Sequence, residues 1–222
     1  MKLASLFSGG KDSTFAIYLA KKQGHEIACL IAVHSKNPFS YMFHTPSIAK
    51  TEKQAKVMGM PLIKQKTAGK KEEELEDLKK AIIKAKKKYG IEGIVTGALA
   101  SRYQASRVQR ICDELKLEAV NPLWQKDQIQ LLEELIANKF EVIVLAVSAY
   151  PLDASWLGRK IDRKFIEDTK LLQKKYGINP AGEGGEFETF VVNCPLFSRE
   201  LKVKKKKITG SNHSYRMEIS VE

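Results

Sequence analysis

Short apolar runs alternate with helical patterns in the first half of the chain. Residues 3–7 and 27–33 are continuous apolar runs, which is typical of strands buried on both faces of a parallel sheet. Between them, residues 13–23 place apolar side chains at helical spacing, and Gly24 stands where a helix is expected to end. The alternation predicts βαβ units with right-handed crossovers. The other elements predicted in this half are helices over 45–58, 72–89 and 105–115 and strands over 62–65 and 94–96.

The pattern changes after Asn121-Pro122. A helix near 128–137, a strand over 142–147 and a helix near 159–176 lead into a glycine-rich loop at 182–185. Three strands follow, over 187–194, 200–209 and 215–221. We therefore predict two domains: residues 1–121, an α/β domain with a parallel sheet and helices on both faces, and residues 122–222, a smaller α+β domain.

Composition narrows the class of protein. The chain has 222 residues and is 43% hydrophobic, which is enough for a sizeable core. No run approaches the roughly 18 apolar residues that a membrane helix needs. Cys29, Cys112 and Cys194 lie far apart, so the sequence predicts neither a disulfide framework nor a cysteine metal site. These features favour a reduced, cytoplasmic location without membrane attachment.

The chain is strongly basic, with 38 Lys and Arg against 26 Asp and Glu and a net charge of +12. Such an excess suits either a nucleic-acid binder or a solvated surface. Much of it falls on the predicted helix 72–89 and on residues 202–207, where lysines at a strand edge can block unwanted strand pairing. Neither cluster is interleaved with the aromatic residues that stack on bases. The solvated surface is therefore the favoured interpretation, and a nucleic-acid partner is not.

The segment with the most chemical information is SGGKDS, which comprises Ser8, Gly9, Gly10, Lys11, Asp12 and Ser13. It follows the first strand and opens the first helix, so glycine N–H groups and a helix N-terminus can hold an anion. The serine hydroxyls and Lys11 can bind phosphate oxygens. Asp12 would repel phosphate unless a divalent cation intervened, which suggests Mg²⁺. The adjacent glycines exclude the Walker A pattern. The alternative is an ordinary turn with Asp12 or Ser13 as helix cap.

SGGKDS after an N-terminal strand resembles the PP-loop of the ATP pyrophosphatases. That resemblance implies an adenine-nucleotide-binding, Rossmann-like fold that binds ATP and cleaves it between the α- and β-phosphates. Three further segments, SYMFHTP at 40–46, GALASRYQ at 97–104 and GEGGEFETF at 182–190, resemble the diphthine–ammonia ligase (diphthamide synthetase) family. The chain departs from that pattern at Phe187, where tyrosine is common, and at 36–39, where acidic residues are often found.

Several candidate residues follow predicted strands, at the sheet edge where open α/β sheets bind ligands. We expect His34, Gly97 and Ala98 to line the nucleotide site, since a glycine there lets the backbone approach adenosine or the α-phosphate. Arg102 can hold a phosphate or carboxylate with two hydrogen bonds. The substrate-binding candidates on these segments are His44, Tyr103 and Gln104. The alternatives are histidines that only end a strand or flank a helix, and a surface helix cap with an incidental arginine.

Three carboxylates, Glu183, Glu186 and Glu188, are concentrated in the second half. Clustered carboxylates bind phosphate poorly but suit a cationic group, a metal ion or an ammonium. The family's substrate, diphthine, carries a trimethylammonium group beside the carboxylate that is amidated, so we expect these residues to bind substrate. The alternative is a polar turn before a strand.

The resemblance implies an ATP-dependent amide ligase that converts diphthine on elongation factor 2 to diphthamide. Formation of an acyl-adenylate releases pyrophosphate, and ammonia, supplied as free ammonium, then attacks the activated carbonyl and releases AMP. Lys11, Asp12 and Arg102 are the implied catalytic residues, with Mg²⁺ on Asp12. No glutaminase module is recognisable, which favours free ammonium. A PP-loop tRNA-modifying ligase and an ATP-binding module without turnover are the alternatives, and a homo-oligomer is left open.

Overall fold

The computed structural model describes residues 1–35, 37, 48–70 and 72–222. Within this range the chain forms two compact units, Met1–Trp124 and Gln125–Glu222. No helix in the described ranges is long and apolar enough to cross a membrane.

The first unit is a five-stranded parallel sheet with helices between its strands. The strands are β1 (Lys2–Leu6), β2 (Glu26–Ser35), β3 (Leu62–Thr67), β4 (Gly93–Val95) and β5 (Glu118–Val120). The helices are α1 (Lys11–Lys22), α2 (Ile48–Val57), α3 (Glu73–Tyr89) and α4 (Arg102–Leu115). The strand order is β3-β2-β1-β4-β5, and every neighbouring pair is parallel. The predicted parallel α/β sheet is therefore confirmed.

The strand order creates a crevice between β1 and β4. From β1 the chain moves outward through β2 to β3, and it then crosses to the other side of β1 and continues to β5. Right-handed crossovers place α1 and α2 on one face and α3 and α4 on the other. The loops that follow β1 and β4 consequently turn to opposite faces at the carboxyl edge, where sheets of this kind bind ligands.

The apolar positions of α3 and α4 explain their packing. Their buried side chains, with those of β1, β2, β3 and β4, form one cluster that includes Leu75, Leu78, Ile82, Val108, Ile111, Ile31 and Ile94. Helix α3 ends as predicted at Gly90, which takes the left-handed conformation and donates its N–H to the Lys86 carbonyl. The lysines at the carboxyl-terminal end of α3 lie on its solvated face and agree with the helix dipole.

The second unit contains a four-stranded antiparallel sheet with the order β7-β6-β9-β8. Its elements are α5 (Gln128–Ala137), β6 (Glu141–Ser148), α6 (Arg163–Tyr176), β7 (Phe187–Asn193), β8 (Val203–Ser211) and β9 (Ser214–Val221). Strand β8 is at an edge of this sheet and carries Lys204, Lys205 and Lys207, as expected for lysines that discourage edge pairing. Asn212 and His213, both with positive φ, form the tight β8–β9 turn.

Several predicted boundaries were wrong. Helix α6 begins at Arg163 rather than near 159, because the Asp162 side chain accepts a hydrogen bond from the Phe165 N–H and caps the helix there. A 3₁₀ turn over Ala154–Trp156 and the three-residue strand β5 were not predicted. Helix α4 begins three residues before the predicted start, at Arg102. The predicted start of α2 at 45–46 lies outside the described residues.

Candidate active site

The SGGKDS loop connects β1 to α1 and is held together by its own hydroxyl groups. The Ser13 hydroxyl is 3.1 Å from the Ser8 hydroxyl and 3.2 Å from the Gly10 carbonyl oxygen. Thr14 Oγ1 donates to the same Gly10 carbonyl at 2.8 Å. The Ser13 side chain is buried, so its first contribution is to fix the shape of the loop.

The N-terminus of α1 has no side-chain cap. The cap residue is Gly10, so neither Asp12 nor Ser13 fills that role, and the alternative of a plain capped turn is wrong in that respect. The four N–H groups at the start of a helix have no partner within the helix, and the helix dipole is positive there. The start of α1 therefore offers N–H donors and positive potential to an anion at the β1–β4 crevice.

Lys11 and Asp12 form an ion pair at this helix start. Lys11 Nζ is 2.8 Å from Asp12 Oδ2, and the Lys11 side chain is only 4% exposed. Asp12 Oδ1 is buried and accepts no hydrogen bond from any described residue. A buried carboxylate oxygen without a donor suits a cation, because an unsatisfied buried polar atom is costly. The residues present therefore fit Mg²⁺ beside a phosphate chain.

The loop after β4 packs directly on this helix start. A Cβ placed on Gly97 would lie 2.7 Å from both the Asp12 carbonyl carbon and the Ser13 nitrogen. Gly97 thus packs closely against the backbone of α1. Thr96 Oγ1 accepts a hydrogen bond from the Ala98 N–H at 3.2 Å and donates to Asn121 Oδ1. The structure therefore brings Gly97 next to Asp12 and Ser13 of SGGKDS. That Gly97 and Ala98 line a nucleotide site stays a prediction.

The first turn of α4 carries Arg102, Tyr103 and Gln104. The Ser101 hydroxyl caps the helix by accepting from the Gln104 N–H, so Gln104 takes part in the cap through its backbone. Arg102 is exposed. These three residues stand at the carboxyl edge of the sheet because α4 begins where the β4 loop ends.

Arg107 is a residue that the sequence analysis missed. Its guanidinium carbon is 3.5 Å from the centroid of the Tyr103 ring, and Arg107 Nη2 donates to Glu72 Oε1 at 2.7 Å. The hydrogen bond to Glu72 raises the pKa of Arg107. One face of the Tyr103 ring is therefore covered by a cation. The only sequence signal was the i, i+4 spacing of Tyr103 and Arg107 on one helix.

Of the two candidate histidines, His34 lies in the described residues and His44 does not. His34 lies near the carboxyl end of β2, where it pairs with Lys66 of β3. Its Nδ1 atom is buried and has no hydrogen-bond partner in the part of the chain that the structure describes. His44 lies outside the described residues. His34 therefore offers an unsatisfied nitrogen at the sheet edge predicted for the nucleotide.

Gln54 is a second residue that sequence reasoning missed. It lies on α2, is 0% exposed, and its Nε2 donates to the Gly9 carbonyl oxygen at 2.9 Å. The two residues are 45 positions apart, so no local pattern joins them. The available signal was a glutamine on the apolar face of α2, beside the buried Ala55. A polar side chain in a core position is expected to have a specific partner.

The glutamates of the second unit differ in their surroundings. Glu186 is 8% exposed, and its Oε1 accepts from the Asn179 N–H at 3.0 Å and from Asn179 Nδ2 at 2.6 Å. Glu186 Oε2 is buried and accepts no hydrogen bond within the described ranges. Glu183 is partly exposed. Glu186 is therefore the carboxylate of this loop that combines burial with an unsatisfied oxygen.

Glu188 is already engaged with a cation of its own sheet. Glu188 on β7 and Arg216 on β9 both pair with Ala146 of β6, so the two side chains flank the same position. Arg216 Nη2 is 3.2 Å from Glu188 Oε1. Phe187, between the two glutamates, is buried and packs edge-to-face on Phe165 of α6 at 5.5 Å.

The three cysteines are free and buried. Burial raises the pKa of Cys29 to about 11 and that of Cys112 and Cys194 to about 12. Since the thiolate is the reactive form, these side chains are inert packing groups near neutral pH. Among the described residues, no cluster of three or more His, Cys, Asp and Glu forms a metal site.

Comparison with known proteins assigns both units to one family. The diphthamide synthase N-terminal domain matches residues 1–119, and the diphthamide synthase C-terminal domain matches residues 127–220. The chain belongs to the diphthamide synthase family. The resemblance inferred from the sequence segments is thereby confirmed.

Relatives that carry the family's name align over nearly all of the chain. The diphthine–ammonia ligase of Rattus norvegicus is 36% identical over 223 residues, which are 91% of this chain and 83% of the relative. That of Bos taurus is 35% identical over 228 residues, which are 94% of this chain and 85% of the relative. A solved structure, described as a predicted subunit of tRNA methyltransferase from Methanocaldococcus jannaschii, superimposes with a TM-score of 0.47 at 20% identity. It covers 88% of this chain and 98% of the other.

Proposed function

We propose that this protein is an ATP-dependent diphthine–ammonia ligase that amidates diphthine on elongation factor 2. The observation that carries the proposal is the start of α1. It has no side-chain cap, it lies at the β1–β4 crevice, and it holds a buried Asp12 oxygen without a hydrogen bond from any described residue. The family assignment of both units supports the same function.

The first unit is the proposed ATP-binding domain, which the sequence placed at 1–121. The backbone N–H groups at the start of α1 hold the phosphates, and the hydroxyls of Ser8 and Ser13 keep the loop in shape for them. Asp12 holds Mg²⁺ through the oxygen that Lys11 does not occupy. When bound there, Mg²⁺ would supply positive charge beside the phosphate chain.

The proposed reaction has two steps. The diphthine carboxylate attacks the α-phosphorus of ATP, so a carboxyl oxygen–phosphorus bond forms, pyrophosphate leaves, and an acyl-adenylate results. Ammonia then attacks the carbonyl carbon, a proton is lost to solvent, and AMP leaves with the oxygen. The protein contributes mainly position and charge. Lys11 and Arg102 are the proposed cationic contacts of the phosphates or of the substrate carboxylate.

The second unit is the proposed substrate-binding domain, which the sequence placed at 122–222. Diphthine carries a permanent positive charge, and Glu186 offers a buried oxygen without a hydrogen bond from the described residues. A buried carboxylate is stabilised by a cation placed beside it. Glu183 adds negative potential, and Glu188, whose charge Arg216 offsets, is proposed to contribute less. Free ammonium is the proposed nitrogen donor.

Thiolation of tRNA is a rival for a PP-loop protein, but the cysteines argue against it. Sulfur-transferring members often use paired cysteines, whereas the three cysteines here are isolated, free and buried, and burial raises the pKa of each thiol. A module that only binds ATP is the second rival. It would bind ATP without releasing pyrophosphate with any acceptor.

The test is a reconstitution with purified protein, Mg²⁺-ATP, ammonium and elongation factor 2 that carries diphthine. We expect AMP and pyrophosphate to form only when all components are present. Elongation factor 2 without diphthine is the matched control and should give no AMP. Formation of ADP, or ATP binding without turnover, would refute the ligase.

A further inference from the structure

The Gly9–Gly10 peptide has one buried side and one exposed side. On the buried side, the Gly9 carbonyl oxygen accepts from Gln54 Nε2 at 2.9 Å. On the exposed side, the Gly10 N–H is directed to the Ser8 hydroxyl at 3.3 Å. In a trans peptide the C=O and N–H bonds point in opposite directions, so a donor that fixes the carbonyl also fixes the N–H.

Two consecutive glycines make this peptide easy to turn over. Gly9 has φ +81, and Gly10 has φ −80, which a turned peptide would bring to the positive side. Glycine takes either sign of φ at little cost, so the two glycines by themselves do not select one peptide orientation. In the turned orientation the Gly9 carbonyl oxygen would face the exposed side, where it would repel a phosphate. Within the loop only the Ser8 hydroxyl, which accepts from the Gly10 N–H at a long 3.3 Å, favours the observed orientation, so a stronger selecting group would have to come from outside the loop.

Gln54 has the placement that this selection requires. Its side chain is completely buried on α2, and the hydrogen bond to Gly9 is itself buried. A Cβ on Gly9 would lie 2.2 Å from Gln54 Oε1, so the amide is packed directly against the loop. Losing the donor would leave the buried Gly9 carbonyl unsatisfied, which favours the turned peptide.

We propose that Gln54 is a positioning residue that keeps the Gly9–Gly10 peptide in the phosphate-accepting orientation. The proposal rests on the proposed binding of ATP by SGGKDS. Gln54 does not touch the phosphate. It determines whether the loop presents an N–H or a carbonyl oxygen to it, and the consequence is a dependence of ATP affinity on the hydrogen-bond donor at position 54.

The experiment uses two substitutions, Gln54→Glu and Gln54→Met, and measures the Kd for Mg²⁺-ATP by calorimetry from mildly alkaline to mildly acidic pH. A buried glutamate is charged at high pH and can only accept, and burial raises its pKa. As the pH falls it becomes neutral and regains an O–H that can donate to Gly9. Methionine has a similar size but never donates. Gln130→Glu, the same change at an exposed position in the first turn of α5, is the matched control.

We expect both Gln54 variants to bind ATP about tenfold more weakly than wild type at mildly alkaline pH, the loss typical of one unsatisfied buried group. Relative to wild type at each pH, Gln54→Glu should recover affinity in acid, and Gln54→Met should not. A residue that only fills space would predict the reverse order, with methionine close to wild type throughout. Wild-type affinity in both folded variants, or no recovery of the glutamate, would overturn the proposal.

If neither variant folds, wild type decides the question. Glycine-labelled NMR spectra without nucleotide should show one set of Gly9 and Gly10 signals, and two exchanging sets would contradict a fixed peptide. Failure of wild type to bind ATP at all would instead refute the proposed function.

Discussion

The SGGKDS loop and the GEGGEFET loop are both rich in glycine, yet they are built in different ways. The first presents main-chain groups at a helix start, and its side chains mostly hold the loop together through Ser13 and Thr14. The second presents carboxylates, and two of them already have partners within the second unit, Asn179 for Glu186 and Arg216 for Glu188. A motif's residues can thus act through the backbone in one loop and through side chains in another. We therefore expect substitutions at the first loop to change turnover or ATP affinity and substitutions in the second to change the KM for the protein substrate.

Asp12→Asn should have the largest effect. It removes the charge that the proposed Mg²⁺ requires and also weakens the pair with the buried Lys11, so we expect turnover to fall at least about a hundredfold. The measurement is pyrophosphate release at saturating ATP, with thermal unfolding to confirm a folded protein. Asp113→Asn, an exposed aspartate on α4, is the control and should keep wild-type turnover. Equal turnover in the two variants would contradict a role for Asp12 in the first loop.

Gly97→Ala should have the next largest effect, through the backbone of the first loop. The added Cβ would stand 2.7 Å from two backbone atoms of Asp12 and Ser13, which cannot move as a flexible side chain could. We expect ATP affinity to fall about tenfold and the free energy of unfolding to fall by about 1–3 kcal/mol. Gly93→Ala provides the control, because its Cβ would stand 2.7 Å from the Glu118 carbonyl oxygen, at the other end of β4. Similar loss of ATP affinity in both would mean that the effect is general instability.

Glu186→Gln and Glu188→Gln separate the roles of two carboxylates of the second loop. Glu186 has the buried oxygen proposed to face the substrate cation, so we expect its variant to raise the KM for diphthine-bearing protein about tenfold without changing the Kd for ATP. Glu188 pairs with Arg216, whose side chain is 43% exposed, and such a pair contributes under about 1 kcal/mol. Steady-state kinetics with each substrate varied in turn distinguishes the roles. A larger KM effect at Glu188 would reverse the assignment.

The smallest effect is expected at the cysteines, which neither loop uses. Because burial raises their pKa, iodoacetamide at mildly alkaline pH should leave all three unmodified in the folded protein and should leave turnover unchanged. The same treatment of denatured protein, followed by mass spectrometry, should modify all three. Inactivation that accompanies modification of one cysteine would support thiol chemistry instead.

Features set by neighbouring residues in the chain could be predicted from the sequence, and features set by contacts between distant residues could not. Helix α5 was predicted near 128–137, where it is observed, because apolar spacing is a local signal. Strand β5 was missed because its sequence, Glu-Ala-Val, is neither the apolar run that indicated β4 nor long enough to show alternation, and its place depends on pairing with β4. The contact of Gln54 with Gly9 and that of Arg107 with Tyr103 were also missed. The Gln54–Gly9 contact depends on how α2 packs beside the loop after β1. The Arg107–Tyr103 contact depends on side-chain orientations that sequence spacing alone does not give.

The most direct test of the central claim measures whether nitrogen from ammonium is incorporated into diphthine. Elongation factor 2 that carries diphthine is incubated with the purified protein, Mg²⁺-ATP and heavy-nitrogen-labelled ammonium, and its modified peptide is analysed by mass spectrometry. The ligase account predicts one heavy nitrogen in the amide of the modified histidine, with AMP formed in equal amount. An unlabelled peptide that still carries the free carboxylate, while wild-type protein binds ATP, would contradict it.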